Sequence, residues 1–198
     1  MIRDGYTDLG PGRLAALTTY LRHDLAAVPQ NPSWTDGFAL ERLSAVDLAR
    51  YLTLFRQVGA DWLWYGRLAT PEPEIAAWLD NPLVLTFALM DPTGDGGLLE
   101  LDLRDPAEAE LVYFGLAKRL IGQGHGRRLM NAALSQAHQK GAKSLMVHTC
   151  SLDAPEALAF YQRSGFRPFK RAIEIFLDPR LDGTLPREAA AHIPIIES

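Results

Sequence analysis

The chain carries one cysteine, Cys150, in 198 residues. No disulfide can form within it, and a reducing compartment is the expectation. It also lacks a basic surplus: 20 Lys and Arg stand against 24 Asp and Glu, a net charge of −4. Phosphate-rich partners need such a surplus, so neither nucleic acid nor a membrane surface is an expected partner. The longest apolar stretch, Leu83 to Met90, is far short of the ~20 residues of a membrane span. The opening MIRDGYTD lacks the apolar segment of a secretory leader, and a cytoplasmic location follows as an expectation. No His, Cys, Asp and Glu cluster has metal-ligand spacing, so no metal is expected. What is present is 47% apolar and 22% charged residues, enough to build and solvate a real core.

Periodicity predicts a mixed α/β chain read as one unit, 1–198. Within Leu14 to Leu25, the β-branched and aromatic run Leu17 to Leu21 reads as a strand, and Val28 to Trp34 as a loop. Ser44 to Val58 and Thr70 to Leu79 read as helices, the first capped by Ser44. Three strands follow, Leu83–Asp91, Leu98–Arg104 and Ala109–Leu116, as an antiparallel meander with DPTGDGG as its first turn. Arg127 to Lys140 is the strongest helix, with Gly141 as its C-terminal cap. Ser144–Thr149 is a strand, and Pro155–Ser164 a helix opened by an Asp153–Glu156 capping box. Phe166–Phe169 and Ala172–Leu177 complete the sheet.

The most informative segment is LVYFGLAKRLIGQGHGRRLM, Leu111 to Met130. A strand runs into a loop with Gly122, Gly124 and Gly126, and a strong helix starts at once. Such glycines permit close backbone approach, and a helix start offers unpaired N–H groups and positive dipole to an anion. A dinucleotide fingerprint fails, because two arginines follow Gly126 and no acidic residue stands about 20 positions on. A P-loop fails for want of Gly-Lys-Ser/Thr.

The turn Ile121-Gly-Gln-Gly124-His-Gly126 resembles the phosphate turn of the GCN5-related N-acetyltransferase superfamily, which reads Arg/Gln-x-x-Gly-x-Gly/Ala. A second block, Ala154-Pro-Glu-Ala157-Leu-Ala-Phe-Tyr161-Gln-Arg-Ser-Gly165-Phe166, is similar to that superfamily's Asn-x-x-Ala-x-x-x-Tyr-x-x-x-Gly-Phe. Ile121 replaces the usual Arg or Gln, and Ala154 the usual Asn. The resemblance implies a mostly antiparallel sheet flanked by helices, with a helical insertion in the N-terminal half. It assigns about 1–82 to the acceptor side, 83–177 to an acetyl-CoA-binding core and 178–198 to an extended tail. It also implies that acetyl-CoA lies against Phe114, Gly115 and Leu116 and along Ile121, Gly122, Gln123, Gly124, His125, Gly126 and Arg127. The gap it would occupy opens where the strand before the turn splays from Ser144–Thr149.

The implied activity is direct transfer of an acetyl group to an amine acceptor. The alternative is a non-catalytic coenzyme A-binding sensor. Transfer needs a base, a carbonyl-polarising dipole and an acid for the leaving thiolate. Tyr161 falls where the superfamily carries its acid, although packing on the sheet would also account for a helical tyrosine. Glu110 and His148 are rival bases. Strict alternation would place Glu110, Val112, Phe114 and Leu116 on one face. Trp62, Trp64 and Tyr65 could wall the acceptor pocket or simply anchor the core, and the tail could pack on its own subunit or serve as a homodimer arm.

Overall fold

The structure is a computed structural model and describes residues 4–35, 37–105 and 107–197. The start of the chain, Met1–Arg3, and the last residue of the tail, Ser198, lie outside the described residues. Among those described, seven strands form one sheet: β1 Arg13–Asp24, β2 Ala39–Arg42, β3 Val84–Asp91, β4 Gly94–Asp102, β5 Ala109–Leu116, β6 Ser144–Cys150 and β7 Arg167–Leu177, in the order β2-β3-β4-β5-β6-β1-β7. Every pairing is antiparallel except β5 with β6. Four helices flank it: α1 Leu48–Gly59, α2 Glu72–Leu79, α3 His125–Gln139 and α4 Ala157–Arg163. No described helix is long and apolar enough to cross a membrane.

The two faces have separate cores. On one, Leu129, Met130, Ala133 and Ala137 of α3 pack with Leu99, Leu111, Leu145 and Val147. On the other, Tyr51, Leu54, Phe55 and Val58 of α1 pack with Ile75 and Leu79 of α2 over Ala88 and Leu98. A buried polar knot sits under this second core. Arg67 pairs with the fully buried Glu100 at 2.6 Å, and Tyr51 donates to the same carboxylate at 2.8 Å.

Several details differ from the sequence reading. β2, in a stretch to which the sequence assigns no element, gains strand character by pairing with Phe87–Met90 of β3. The turn between β3 and β4 is tighter than DPTGDGG suggests, since β4 begins at Gly94. The Asp153–Glu156 capping box does not form. Glu156 occupies the N-cap of α4, and Asp153 instead accepts from Thr149 Oγ1 and the Cys150 N–H at 2.8 Å each. β7 is continuous, because Lys170 and Arg171 pair with Tyr20 and Thr19 of β1, although the register slips once at Phe169.

The 178–197 segment folds on its own chain. Arg180, 2% exposed, pairs with Asp178 and donates to the carbonyls of Ala189, Ala190 and Ile193. Leu185, Ala189 and Ala190 then pack on Leu63 and Tyr65, so the tail buttresses the α1–α2 connection.

Candidate active site

The sheet forks between β5 and β6. The two strands pair only at Ala109↔Leu145 and Glu110↔Met146, after which β5 stays with β4 and β6 with β1. The edge of β5 from Leu111 to Leu116 is therefore open toward β6. A cavity of about 340 Å³ fills the fork and reaches both faces of the sheet. Leu116, Ile121 and Tyr161 line it on the α3 and α4 side, and Trp64, His148 and Glu174 on the α1 side.

A β-bulge sets which side chains meet the cavity. Glu100 pairs with Tyr113 and Leu101 with Leu111, so Val112 has no partner on β4. The extra residue puts Leu111 and Phe114 both toward α3, although they are three apart. Strict alternation therefore fails. Glu110 is not on the face of Phe114 and Leu116 but on the opposite one, with Tyr113. Gly115 lies there too, where a Cβ would stand 2.5 Å from Val58 and 3.1 Å from the Trp64 ring. Trp64 packs against Phe55, Tyr113 and Gly115, and its indole N–H donates to Asp153 at 3.2 Å across the fork. Asp153 thus binds the acceptor-side loop to the end of β6, a role hidden from the sequence by its resemblance to a cap.

On the α3 side, Gly122 and Gly124 hold φ of +81° and +85°, the left-handed region that favours glycine, and a Cβ at either would face open space. Gly124 caps α3, leaving the first-turn N–H groups from His125, Gly126 and Arg127 to project outward. Ile121 is exposed, while Gln123 folds back onto the Arg119 carbonyl at 2.6 Å. The His125 ring stacks on Phe38 at 4.3 Å, and its Nδ1 is buried without a hydrogen-bond partner among the described residues.

Tyr161 is 7% exposed and packs among Phe114, Phe160 and Phe166. Its hydroxyl makes no hydrogen bond among the described residues, although it borders the cavity. Burial, followed by the charge of Asp153, pushes the phenol well above its ordinary range, so it keeps its proton at neutral pH.

The sequence set Glu110 and His148 against each other as bases, but the structure pairs them. Glu110 stands opposite Met146, so His148, two residues on, is its diagonal neighbour. The His148 Nδ1 lies 3.4 Å from Glu110 Oε1. The hydrogen bond to Glu110 raises the imidazole above 6.5 against the opposing effect of burial. Asp153 and Glu174 raise it further. Cys150, two positions further along β6, has its thiol pushed up to about 11 by burial and by Asp153, which disfavours the thiolate a nucleophile requires. Among the described residues no group of three or more His, Cys, Asp or Glu could hold a metal ion.

Sequence reasoning missed Asp153 and Glu174 here. Glu174 was legible only as the charged residue between Ile173 and Ile175, and only its pairing with Ala16 carries it over the cavity.

Known structures share this fold. A functionally unknown conserved protein from Staphylococcus epidermidis aligns at TM-score 0.60 and 14% identity, over 84% of this chain and 63% of that one. A GCN5-related N-acetyltransferase from Sphaerobacter thermophilus aligns at TM-score 0.59 and 12% identity, over 85% and 52%. An aminoglycoside acetyltransferase from an uncultured soil metagenomic sample aligns at TM-score 0.54 and 20% identity, over 65% and 87%. The chain thus spans roughly half to two-thirds of the first two, and at such identities the likeness concerns the fold. A comparison with curated protein sequences gives no match. The model of the acetyltransferase (GNAT) family matches residues 45–166, well over half of the chain and including both halves of the fork. The chain belongs to the GNAT acetyltransferase family.

Proposed function

We propose that the protein is an N-acetyltransferase that moves an acetyl group from acetyl-CoA directly to an amine held on the α1 side of the fork. One observation carries the reading: a cavity runs through the sheet, with a buried, unpartnered tyrosine on one side and a Glu–His pair on the other. A sensor would need a pocket for coenzyme A but no passage to a second face, and no proton-handling group there.

The residues present suit the donor. The open edge of β5 at Phe114, Gly115 and Leu116 offers main-chain groups to an extended amide chain, and the Gly122–Arg127 turn offers N–H groups to a diphosphate. Neither Ile121 nor Ala154 adds a polar contact, so the backbone supplies most of the affinity. Acetyl-CoA, when bound, brings a thioester as the acetyl source. Neutral His148, oriented by Glu110, takes the proton from the incoming ammonium, and Tyr161 gives its proton to the leaving thiolate. The whole described chain serves the two ligands as one unit, with residues up to 82 shaping the acceptor side. A cytoplasmic setting accords with the lone thiol.

Calorimetry with acetyl-CoA, followed by a thiol-release assay over a panel of amines, tests the reading. Gly124→Val should weaken binding severely by blocking backbone approach. Tyr161→Phe keeps the ring and should lower kcat by roughly 10²–10⁴ with acetyl-CoA affinity unchanged. Binding without turnover of any amine would favour the sensor, and full activity in the Phe variant would remove Tyr161 from the chemistry.

A further inference from the structure

The acceptor side of the cavity carries a carboxylate that the proposed chemistry does not use. Glu174 of β7 stands opposite Ala16 of β1, whose small side chain leaves the space above it open. Register puts Thr18 and Tyr20 of β1, His148 of β6 and Glu174 on one face of the sheet, since Tyr20 pairs with His148 and Ala16 with Glu174. Glu174 forms no ion pair among the described residues. Its charge nonetheless reaches Tyr65, His148 and Cys150.

Aromatic side chains frame this carboxylate. Tyr65 stacks on Phe176 at 5.4 Å, and Trp62 and Trp64 border the same space. Such faces receive cations and apolar bodies alike. Three carboxylates, Glu110, Asp153 and Glu174, surround His148. On that face Lys170, four positions along β7, sits over the Tyr20 ring at 4.4 Å. The Tyr161 hydroxyl, without a hydrogen-bond partner among the described residues, borders this same cavity.

We propose that Glu174 is a specificity residue of the acceptor half, selecting amines carried on an apolar or aromatic body and rejecting those with a carboxylate beside the amine. This rests on the acetyltransferase reading. An ammonium gains a charge-assisted contact with Glu174 and a π-face from the Tyr65–Phe176 wall. A carboxylate on the adjacent carbon would face the like charges of Glu110 and Glu174, which disfavour it.

Matched pairs differing only in that carboxylate, tyramine against tyrosine and tryptamine against tryptophan, test it. Binding is read by calorimetry in the presence of coenzyme A, and turnover by thiol release. The amine of each pair should bind about 10- to 100-fold more tightly than its amino acid. Glu174→Gln should raise KM for the amine about tenfold and collapse the preference, with acetyl-CoA affinity and Tm near wild type. Glu174→Lys should reverse the preference. A wild-type ratio near one, a preference unchanged in Glu174→Gln, or no binding by either amine would overturn the inference. If calorimetry shows acetyl-CoA binding and other amines are acetylated in those cases, the acetyltransferase reading survives without it. A protein that binds no acetyl-CoA would overturn both.

Discussion

Gly115 links the packing of α1 to the shape of the acceptor side, and Gly115→Ala tests that link with one methyl group. A Cβ there would stand 2.5 Å from Val58 Cγ1 and 3.1 Å from the Trp64 ring. Removing a glycine from a strand interior gains roughly 0.5–1 kcal/mol. Forcing a methyl into a filled core costs about 1–3 kcal/mol. Both neighbours are constrained, since Val58 is 4% exposed and Trp64 is fixed by its bond to Asp153 and by contact with Gly59. Overpacking therefore wins, and the net loss should be about 1–2 kcal/mol. For a chain of this size, Tm should fall by roughly 2–8 °C. The variant should also raise KM for the acceptor by displacing Trp64, while acetyl-CoA affinity, which depends on the β5 backbone, changes little. Val58→Ala removes the atom in the way, so the double variant should be more stable than the sum of the single losses predicts, with a coupling of at least about 0.5 kcal/mol. Thermal and urea unfolding of the four proteins measure this. A Gly115→Ala protein as stable as wild type, or strictly additive losses, would refute the packing account.

Further predictions concern charge. His148 is raised chiefly by its hydrogen bond to Glu110, and only the neutral imidazole can take a proton. The acid limb of kcat/KM should thus lie above pH 6.5 and move to lower pH in Glu110→Gln; an unmoved limb would separate the pair. The raised value also means that the pair stabilises the fold below about pH 6.5, an effect lost as pH rises through the folded pKa. Glu110→Gln should accordingly narrow the Tm difference between acid and alkaline buffers. Arg67→Met should cost roughly 3–5 kcal/mol in urea unfolding by stranding the fully buried Glu100, and Arg67→Met with Glu100→Leu should recover most of it. Equal losses in the single and double variants would place the cost in the Arg67 stack on Trp78 instead.

Local chemistry made some of this molecule legible from the amino-acid order alone. Glycines ahead of an amphipathic helix announce a turn with exposed N–H groups whatever packs around it, and period-2 and period-3.6 patterns mark elements that bury one face. Hence β5, α3, β6 and α4 lie close to where the residues put them, and Tyr161 sits in the interior. Relations across the sheet are of another kind. A bulge at Val112 depends on the register with β4, so the face of Glu110 could not be read by counting along one strand. The Glu110–His148 pair needs β5 and β6 to be parallel neighbours, and Glu174 reaches the cavity only because β7 pairs with β1. Asp153 reads as a helix cap, yet it bonds to its near neighbours Thr149 and Cys150 at the end of β6 and, across the fork, to Trp64, a donor that only the tertiary fold brings within reach. Sequence determines which groups need partners, and tertiary structure decides which partners they get, because contacts between residues distant along the chain exist only once the sheet has closed.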